Sequence, residues 1–426
     1  MYTDSLLDKK TKKKILSALD KLSKGSAALD EAYNEAIKRI EGQLDGDRTL
    51  ARNVLSWVTY SQRPLTTVEL CNALAVEFGE DELDPDNVPD IKDAISVCAG
   101  LVTVDEESDV IRLVHYTTQE YFERIREVWN SRAQLDIAST CLTYLCFSTF
   151  RSGSCPSDKD LESRLEQNVF LDYAARYWGQ HTLPVQEEVW ELALSFLQCS
   201  SLVSCAVQTR SISTYKYDNY SQNFLKVVTG MHLVAQSGLL YLLERLLSRA
   251  EGHILIPIDS KDDYGRTPLW WAVEEGCETV VKLLIERDDV DADSKDSYGW
   301  TPLSRAAYNG HEVVVKLLVE RDDVEADSKD NNGRTPLSLA ASEGYKEVVK
   351  LLVERDDVEA DSKDNDDRTP LSWAAWNGYE EVVKLLVERD NVKADSKGNN
   401  GRTPLSWAAF AGYEACLLYT SDAADE

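Results

Sequence analysis

The sequence predicts a mainly α protein: a small helix-and-hairpin domain and a helical connector, followed by a solenoid of stacked helix pairs. Three observations carry this reading. Thr-Pro-Leu recurs at Thr267, Thr301, Thr335, Thr369 and Thr403, each time 34 residues on, with Gly276, Gly310, Gly344, Gly378 and Gly412 in step. After each of the first four of these glycines comes Val-Val-Lys-Leu-Leu, whose 3 and 4 spacings put the apolar mass on one helix face. Upstream, three helical patterns precede two short strand patterns around an acidic tip.

Within residues 1–45, Lys9, Lys10, Lys12, Lys13 and Lys14 form the one basic cluster, read as a solvated helix face with nuclear import as the rival. Leu29, Tyr33, Ile37 and Ile40 then mark an amphipathic helix. Residues 46–129 form the compact domain. Leu50, Val54, Trp57 and Val58 give its first helix. Thr66 with Glu69 forms a capping box opening a second, with Leu70, Leu74 and Phe78 expected inward. Ile91, Ile95 and Cys98 give a third. Leu101 to Val104 and Val110 to Val114 read as a hairpin, and a further helix begins at His115-Tyr116. Three helices and a hairpin is a winged-helix order. Between residues 61 and 125, however, fifteen acids face Arg63, Lys92, Arg112 and Arg124 alone, so no basic stripe exists to track phosphates.

Residues 130–228 read as a helical connector. Tyr177, Trp178 and His181 fall at helical spacing there and are assigned to its core. Residues 229–414 form the array. Gly230 to Ala235 with Gly238 make a degenerate first repeat that can act as a cap. In a full repeat, Thr301 N-caps the first helix, Pro302 takes its first position, and Gly310 ends it in a left-handed conformation. The polar run Arg321 to Gly333 is expected to protrude as a loop. At Ala415 the pattern breaks abruptly, and residues 415–426 read as a tail foreign to the array, leaving its end poorly capped.

The Thr-Pro-Leu, the paired alanines (Ala306, Ala307), the Gly and the Val-Val-Lys-Leu-Leu resemble the ankyrin repeat. The tetratricopeptide repeat has a similar period, but its Trp, Gly, Tyr and Pro pattern is absent. The units run one residue longer than the usual ankyrin period of about 33. Asp322 stands near the family's loop Gly and could take its left-handed turn. Arg63-Pro64-Leu65-Thr66, Glu69-Leu70, Ala73-Leu74-Ala75, His115-Tyr116 and Glu120-Tyr121 are similar to the winged-helix domain that follows the NACHT nucleotidase in fungal NOD-like (STAND) proteins. A related domain is named for GPI inositol-deacylase-like proteins. In that family it is a regulatory joint rather than a DNA reader.

Composition and motifs exclude several functions. The 426 residues are 43% hydrophobic and 28% charged, but the formal charge of -29 repels nucleic acid and anionic membrane. No apolar run reaches the roughly 18 residues of a membrane helix. Nine scattered cysteines without CxxC suggest reduced thiols and a cytoplasmic location. Gly-Lys-Ser/Thr and Gly-x-Ser-x-Gly are absent, so nucleotide hydrolysis and α/β-hydrolase chemistry lack their motifs. The histidines lack zinc spacing. A calcium loop starting at Ser328 lacks its first acid and has Leu339 where the bidentate Glu belongs. No catalytic, cofactor or metal site is expected.

What remains is recognition of a protein. Positions that differ between copies are those freed from packing. They are Arg266, Trp300, Arg334 and Arg368 before Thr-Pro-Leu, the tip residue Tyr298, and Tyr308, Asn309, Glu343, Trp376, Asn377 and Phe410 before the Gly. In the ankyrin family such positions make partner contacts along the concave face, which the resemblance implies here. The alternative is packing between repeats. The expected function is a non-catalytic interaction module, the sensing or scaffolding part of a STAND-type receptor. A free-standing ankyrin adaptor and a DNA-binding regulator are the rivals.

Overall fold

A computed structural model of the protein describes residues 26–213, 215–249, 257–414 and 416–417. The lysine cluster and nearly all of the tail lie outside them. The chain divides into two compact units, residues 1–192 and 193–426.

In the first unit, α1 (Ser26–Glu41) buries Tyr33, Ala36 and Ile40. The helices α2 (Asp45–Tyr60), α3 (Thr67–Leu74) and α4 (Ile91–Ser96) follow, then β1 (Val102–Asp105) and β2 (Val110–Leu113). The strands pair antiparallel with Val102 opposite Leu113, as a hairpin around an acidic tip should. The capping box is present: Thr66 Oγ1 accepts from the Glu69 N–H at 3.2 Å, and Glu69 Oε2 accepts from the Thr66 N–H at 2.9 Å. The start of α3 is tied to the hairpin, since Ile111 N donates to Leu65 O and Thr67 N to Asp109 O, both at 2.9 Å. Phe78 departs from expectation. The helix ends at Leu74, so Phe78 lies beyond it and is 61% exposed rather than inward.

Helix α5 (Tyr116–Trp129) closes the winged-helix domain, and the connector helices α6 (Ala133–Leu145), α7 (Asp158–Gln167) and α8 (Leu171–Thr182) follow in this unit. Its core is aromatic: Trp57 meets Phe170 and Tyr173 edge-on, at 5.5 and 5.8 Å. His181 is fully buried against the Tyr173 hydroxyl at 2.8 Å, and burial pushes it down to about 4, so it stays neutral as a core residue.

Helix α9 (Gln186–Leu197) carries the chain into the second unit, where α10 (Ser200–Arg210) precedes the array. The repeats pair α11 (Gly230–Gln236) with α12 (Leu240–Arg249), α13 (Pro268–Glu274) with α14 (Glu278–Ile285), and α15 (Pro302–Asn309) with α16 (Glu312–Val319). They continue with α17 (Pro336–Glu343) and α18 (Lys346–Val353), α19 (Pro370–Asn377) and α20 (Glu380–Val387), and finally α21 (Pro404–Ala411). Each Thr accepts from the N–H three residues on, as Thr301 does from Ser304 at 3.1 Å. In the degenerate first copy the box survives in altered form, with His232 Nδ1 facing the Thr229 N–H at 3.2 Å. Gly230 stands where the others have Pro because a Cβ would collide with the Leu197 carbonyl.

Gly310 adopts φ +73°, and the ring of Tyr345 from the next copy fills the place its side chain would take. Asp322, by contrast, does not enter the left-handed region; Asp367 does, at φ +57°, at the loop position where the other full copies carry Gly. The loop after α16 is also less detached than its polarity suggests. Val324 and Ala326 are buried, so only its tip stands out.

Side chains of one copy bond the backbone of its neighbours, asparagines reaching the preceding copy and lysines the next. Asn331 Nδ2 donates to Ser297 O, Asn365 Nδ2 to Asn331 O and Asn399 Nδ2 to Asn365 O, at 3.0 to 3.1 Å. Lys295, Lys329 and Lys363 donate to the carbonyls of Lys329, Lys363 and Lys397 at 2.9 to 3.2 Å.

Candidate protein-interaction groove

An aspartate opens four of the five loop tips, four residues before the variable position: Asp262, Asp296, Asp330 and Asp364. In three copies it does the same two jobs. Oδ1 of Asp262, Asp330 and Asp364 accepts the N–H groups two and four residues on, folding the tip. Oδ2 accepts the guanidinium of Arg266, Arg334 and Arg368 respectively, at Nε–O distances of 2.8 to 3.0 Å. An indole N–H completes each Oδ2 at 3.1 Å: Trp271 on Asp262, Trp300 on Asp330 and Trp373 on Asp364. These carboxylates are fully buried or nearly so, which is tolerable because each is paired and hydrogen-bonded.

The guanidiniums lie against rings. Arg266 sits 4.8 Å from the Trp270 centroid and 5.2 Å from Tyr264, and Arg368 sits 4.1 Å from Trp373. Between the second and third copies these groups enclose a groove of about 400 Å³ lined by Tyr264, Arg266, Trp270, Tyr298, Trp300 and Arg305, with Asp296 and Glu274 among its acids. Tyr298 is 61% exposed and stacks on Tyr264 at 6.2 Å. Tyr308 meets Trp300 edge-on at 5.1 Å, and Arg305 pairs with Glu274 while lying 5.1 Å from Trp270.

A second aromatic group lies at the far end. Trp376 stacks between Trp373 and Trp407, at 6.1 and 4.2 Å, and Phe410 is 69% exposed beside Trp407. Arg402 covers Trp407 and Phe410 at 4.4 and 4.6 Å.

The structure therefore gathers Arg266, Tyr298, Trp300, Tyr308 and Arg334 at one place and Arg368, Trp376 and Phe410 at another. The remaining variable residues serve the scaffold as well. Asn309 Nδ2 donates to Glu274 O and Asn377 Nδ2 to Ser342 O, each at 2.9 Å, fastening a copy to its predecessor. Half-buried Glu343 accepts from its neighbour Ser342 at 3.2 Å. Sequence reading missed Trp270, Asp296 and Arg305. The signal was present: Asp recurs with the 34-residue period at 262, 296, 330 and 364, and only after Asp296 is the matching Arg replaced, by Trp300.

Among the described residues no group of three His, Cys, Asp or Glu could hold a metal ion, and no single helix is long and apolar enough to cross a membrane. The groove offers aromatic faces, charged rims and hydrogen-bonding groups without a nucleophile and base in contact. It is suited to binding.

A stacked-repeat surface and a winged helix in one chain define the class of molecule, and comparison with known families sharpens it. The family described as "Ankyrin repeats (3 copies)" matches in overlapping frames over residues 212–296, 231–330, 280–364, 322–398 and 357–423. The family described as "GPI inositol-deacylase, winged helix domain" matches residues 39–131. The chain is thus a mainly helical protein that joins a winged-helix domain to ankyrin repeats, which are typically non-catalytic and mediate protein–protein interaction. A stretch of 76 residues is 36% identical to acyl-CoA-binding domain-containing protein 2 of Arabidopsis thaliana, covering 18% of this chain. The chain spans about a fifth of that relative's length.

Proposed function

We propose that this chain is the ligand-sensing or scaffolding part of a STAND-type signalling receptor, with the winged-helix domain coupling its ankyrin array to a NACHT nucleotidase. One observation supports the interaction half of this reading: five of the copy-to-copy variable residues, Arg266, Tyr298, Trp300, Tyr308 and Arg334, gather at the aromatic groove around Trp300. The pairing of an ankyrin array with a winged helix of the GPI inositol-deacylase type supports the receptor half. The concave face, entered through Trp300 at one end and Trp376 at the other, takes the protein ligand, and the chain itself performs no chemistry. Its acidity favours a cytoplasmic site of action away from nucleic acid and membrane.

The test is affinity capture with the full chain against a Trp300→Ala/Trp376→Ala variant, with thermal melting of both. Loss of partners by a variant that still melts cooperatively, at a temperature lowered by the lost Trp300–Asp330 bond and Trp376 stack, supports the reading. Retention of every captured protein at unchanged stability assigns the interaction to another surface. Retention on duplex DNA at physiological salt would favour a regulator instead.

A further inference from the structure

We infer that the groove between the second and third copies recognises an arginine side chain of a partner polypeptide, bound by Asp296 between aromatic walls. This rests on the interaction reading above and adds the chemistry of the ligand.

The array supplies its own template. At Asp262, Asp330 and Asp364 the second carboxylate oxygen holds a guanidinium and an indole N–H, and the guanidinium lies against an aromatic ring. Asp296 keeps the structural half of this arrangement: its Oδ1 accepts from Tyr298 N at 2.8 Å and Trp300 N at 2.9 Å. The other half is absent. Trp300 replaces the arginine four residues on and sends its indole N–H to Asp330, and Arg305 occupies the position of the indole donors Trp271 and Trp373. Among the described residues no donor bonds Asp296 Oδ2, yet Asp296 is only half-buried and lines the groove.

Charge points the same way. Arg266, Arg305 and Arg334 are ion-paired to Asp262, Glu274 and Asp330, so among the described residues Asp296 is the groove carboxylate without an ion pair, although Arg266 and Arg305 lie near enough to favour its charge. Burial raises its pKa, an unfavourable state that a bound cation would relieve. Trp300, Tyr298 and Tyr264 provide flat faces beside it. A planar guanidinium matches both carboxylate and ring, whereas a lysine ammonium offers no plane to stack.

Selection of random dodecamer peptides displayed on phage against the immobilised full chain tests this, followed by binding of the selected peptides to variants by tryptophan fluorescence. Two variants are used, the melting of each compared with that of the parent chain because Trp300→Arg also removes the indole bond to Asp330. Asp296→Asn keeps the Oδ1 contacts and removes only the charge. Trp300→Arg places the missing guanidinium within the copy, where it should occupy Asp296 Oδ2 itself. The expected result is enrichment of peptides with an arginine at a fixed position, at least tenfold weaker binding to either variant, and further weakening when that arginine becomes lysine or glutamine. Selected peptides without a recurrent arginine, or equal binding to Trp300→Arg and the parent chain, overturn the arginine assignment while leaving the interaction reading intact. If no peptide is enriched and the capture experiment also shows no dependence on Trp300 and Trp376, both fail.

Discussion

The third and the last copies each lack one half of the same ion pair, and they lack opposite halves. At the third copy Asp296 remains and its arginine has become Trp300; at the last, Arg402 remains and its aspartate has become Gly398. The tip folds in both. Asp296 still gathers two N–H groups, while Asn400 Oδ1 takes over the Arg402 N–H at 3.0 Å. The ion pair is therefore not what shapes the tip, and its absence leaves a charge facing outward: a carboxylate near one end of the array, a guanidinium on aromatic rings at the other.

This contrast can be broken most directly by removing the aspartate itself. Asp330→Ala strips the partner from Arg334 and from the Trp300 indole and should cost about 3 kcal/mol. Asp296→Ala loses only the two backbone contacts and should cost about 1 kcal/mol. Urea midpoints of the two variants decide the matter; equal losses would mean that the pair contributes nothing beyond the turn. The glycines that end the first helices sharpen the comparison next. Gly310→Ala meets the Tyr345 ring as well as a left-handed backbone, so about 1 to 3 kcal/mol of overpacking adds to the conformational cost. Gly412→Ala, with open space around it, should cost only about 1 to 2 kcal/mol for the backbone.

Acidity separates interior from end more gently. Burial raises the carboxyls of Asp259, Asp293, Asp327 and Asp361, taking Asp293 to about 6. The folded state therefore binds protons that the unfolded chain, titrating near about 4, does not. The burial penalty is fully present above pH 6 and is relieved as the pH falls through that value, so melting temperature should rise from pH 7 to pH 5. Asp293→Asn should flatten that rise. The corresponding Asp395 in the last copy is exposed, so it carries no comparable burial. The smallest effect is expected from Gly398→Asp, which restores a partner for Arg402. Gly398 has an ordinary backbone, but a Cβ there would stand 3.3 Å from the Asp366 carbonyl, so the half-exposed pair should add at most about 0.5 to 1 kcal/mol, measured by thermal melting.

Much of the fold was legible because local chemistry and period agree. Thr301, Pro302 and Gly310 each require a particular backbone, and five repetitions remove the ambiguity of a single copy. The capping box at Thr66 and the hairpin around Asp105 to Asp109 were readable for the same reason. Phe78 was not: apolar spacing continues past Leu74, while the helix does not. The groove was half legible. Variation between copies pointed to Trp300, Tyr308 and Trp376, but it could not separate them from Asn309 and Asn377, whose amides reach a carbonyl some 35 residues back. Partners one period away are invisible to a reading of single units. Asp296 escaped notice because the residue itself is unchanged; what changed was its partner four positions on.

The asparagine and lysine ladders have a mechanical corollary. Each rung fastens one copy to its neighbour alone, so tension applied to a terminus is borne by one junction at a time. An array pulled from its Phe410 end should peel in steps of a single copy, shortening the lever available for recognition before it surrenders the tips around Trp300.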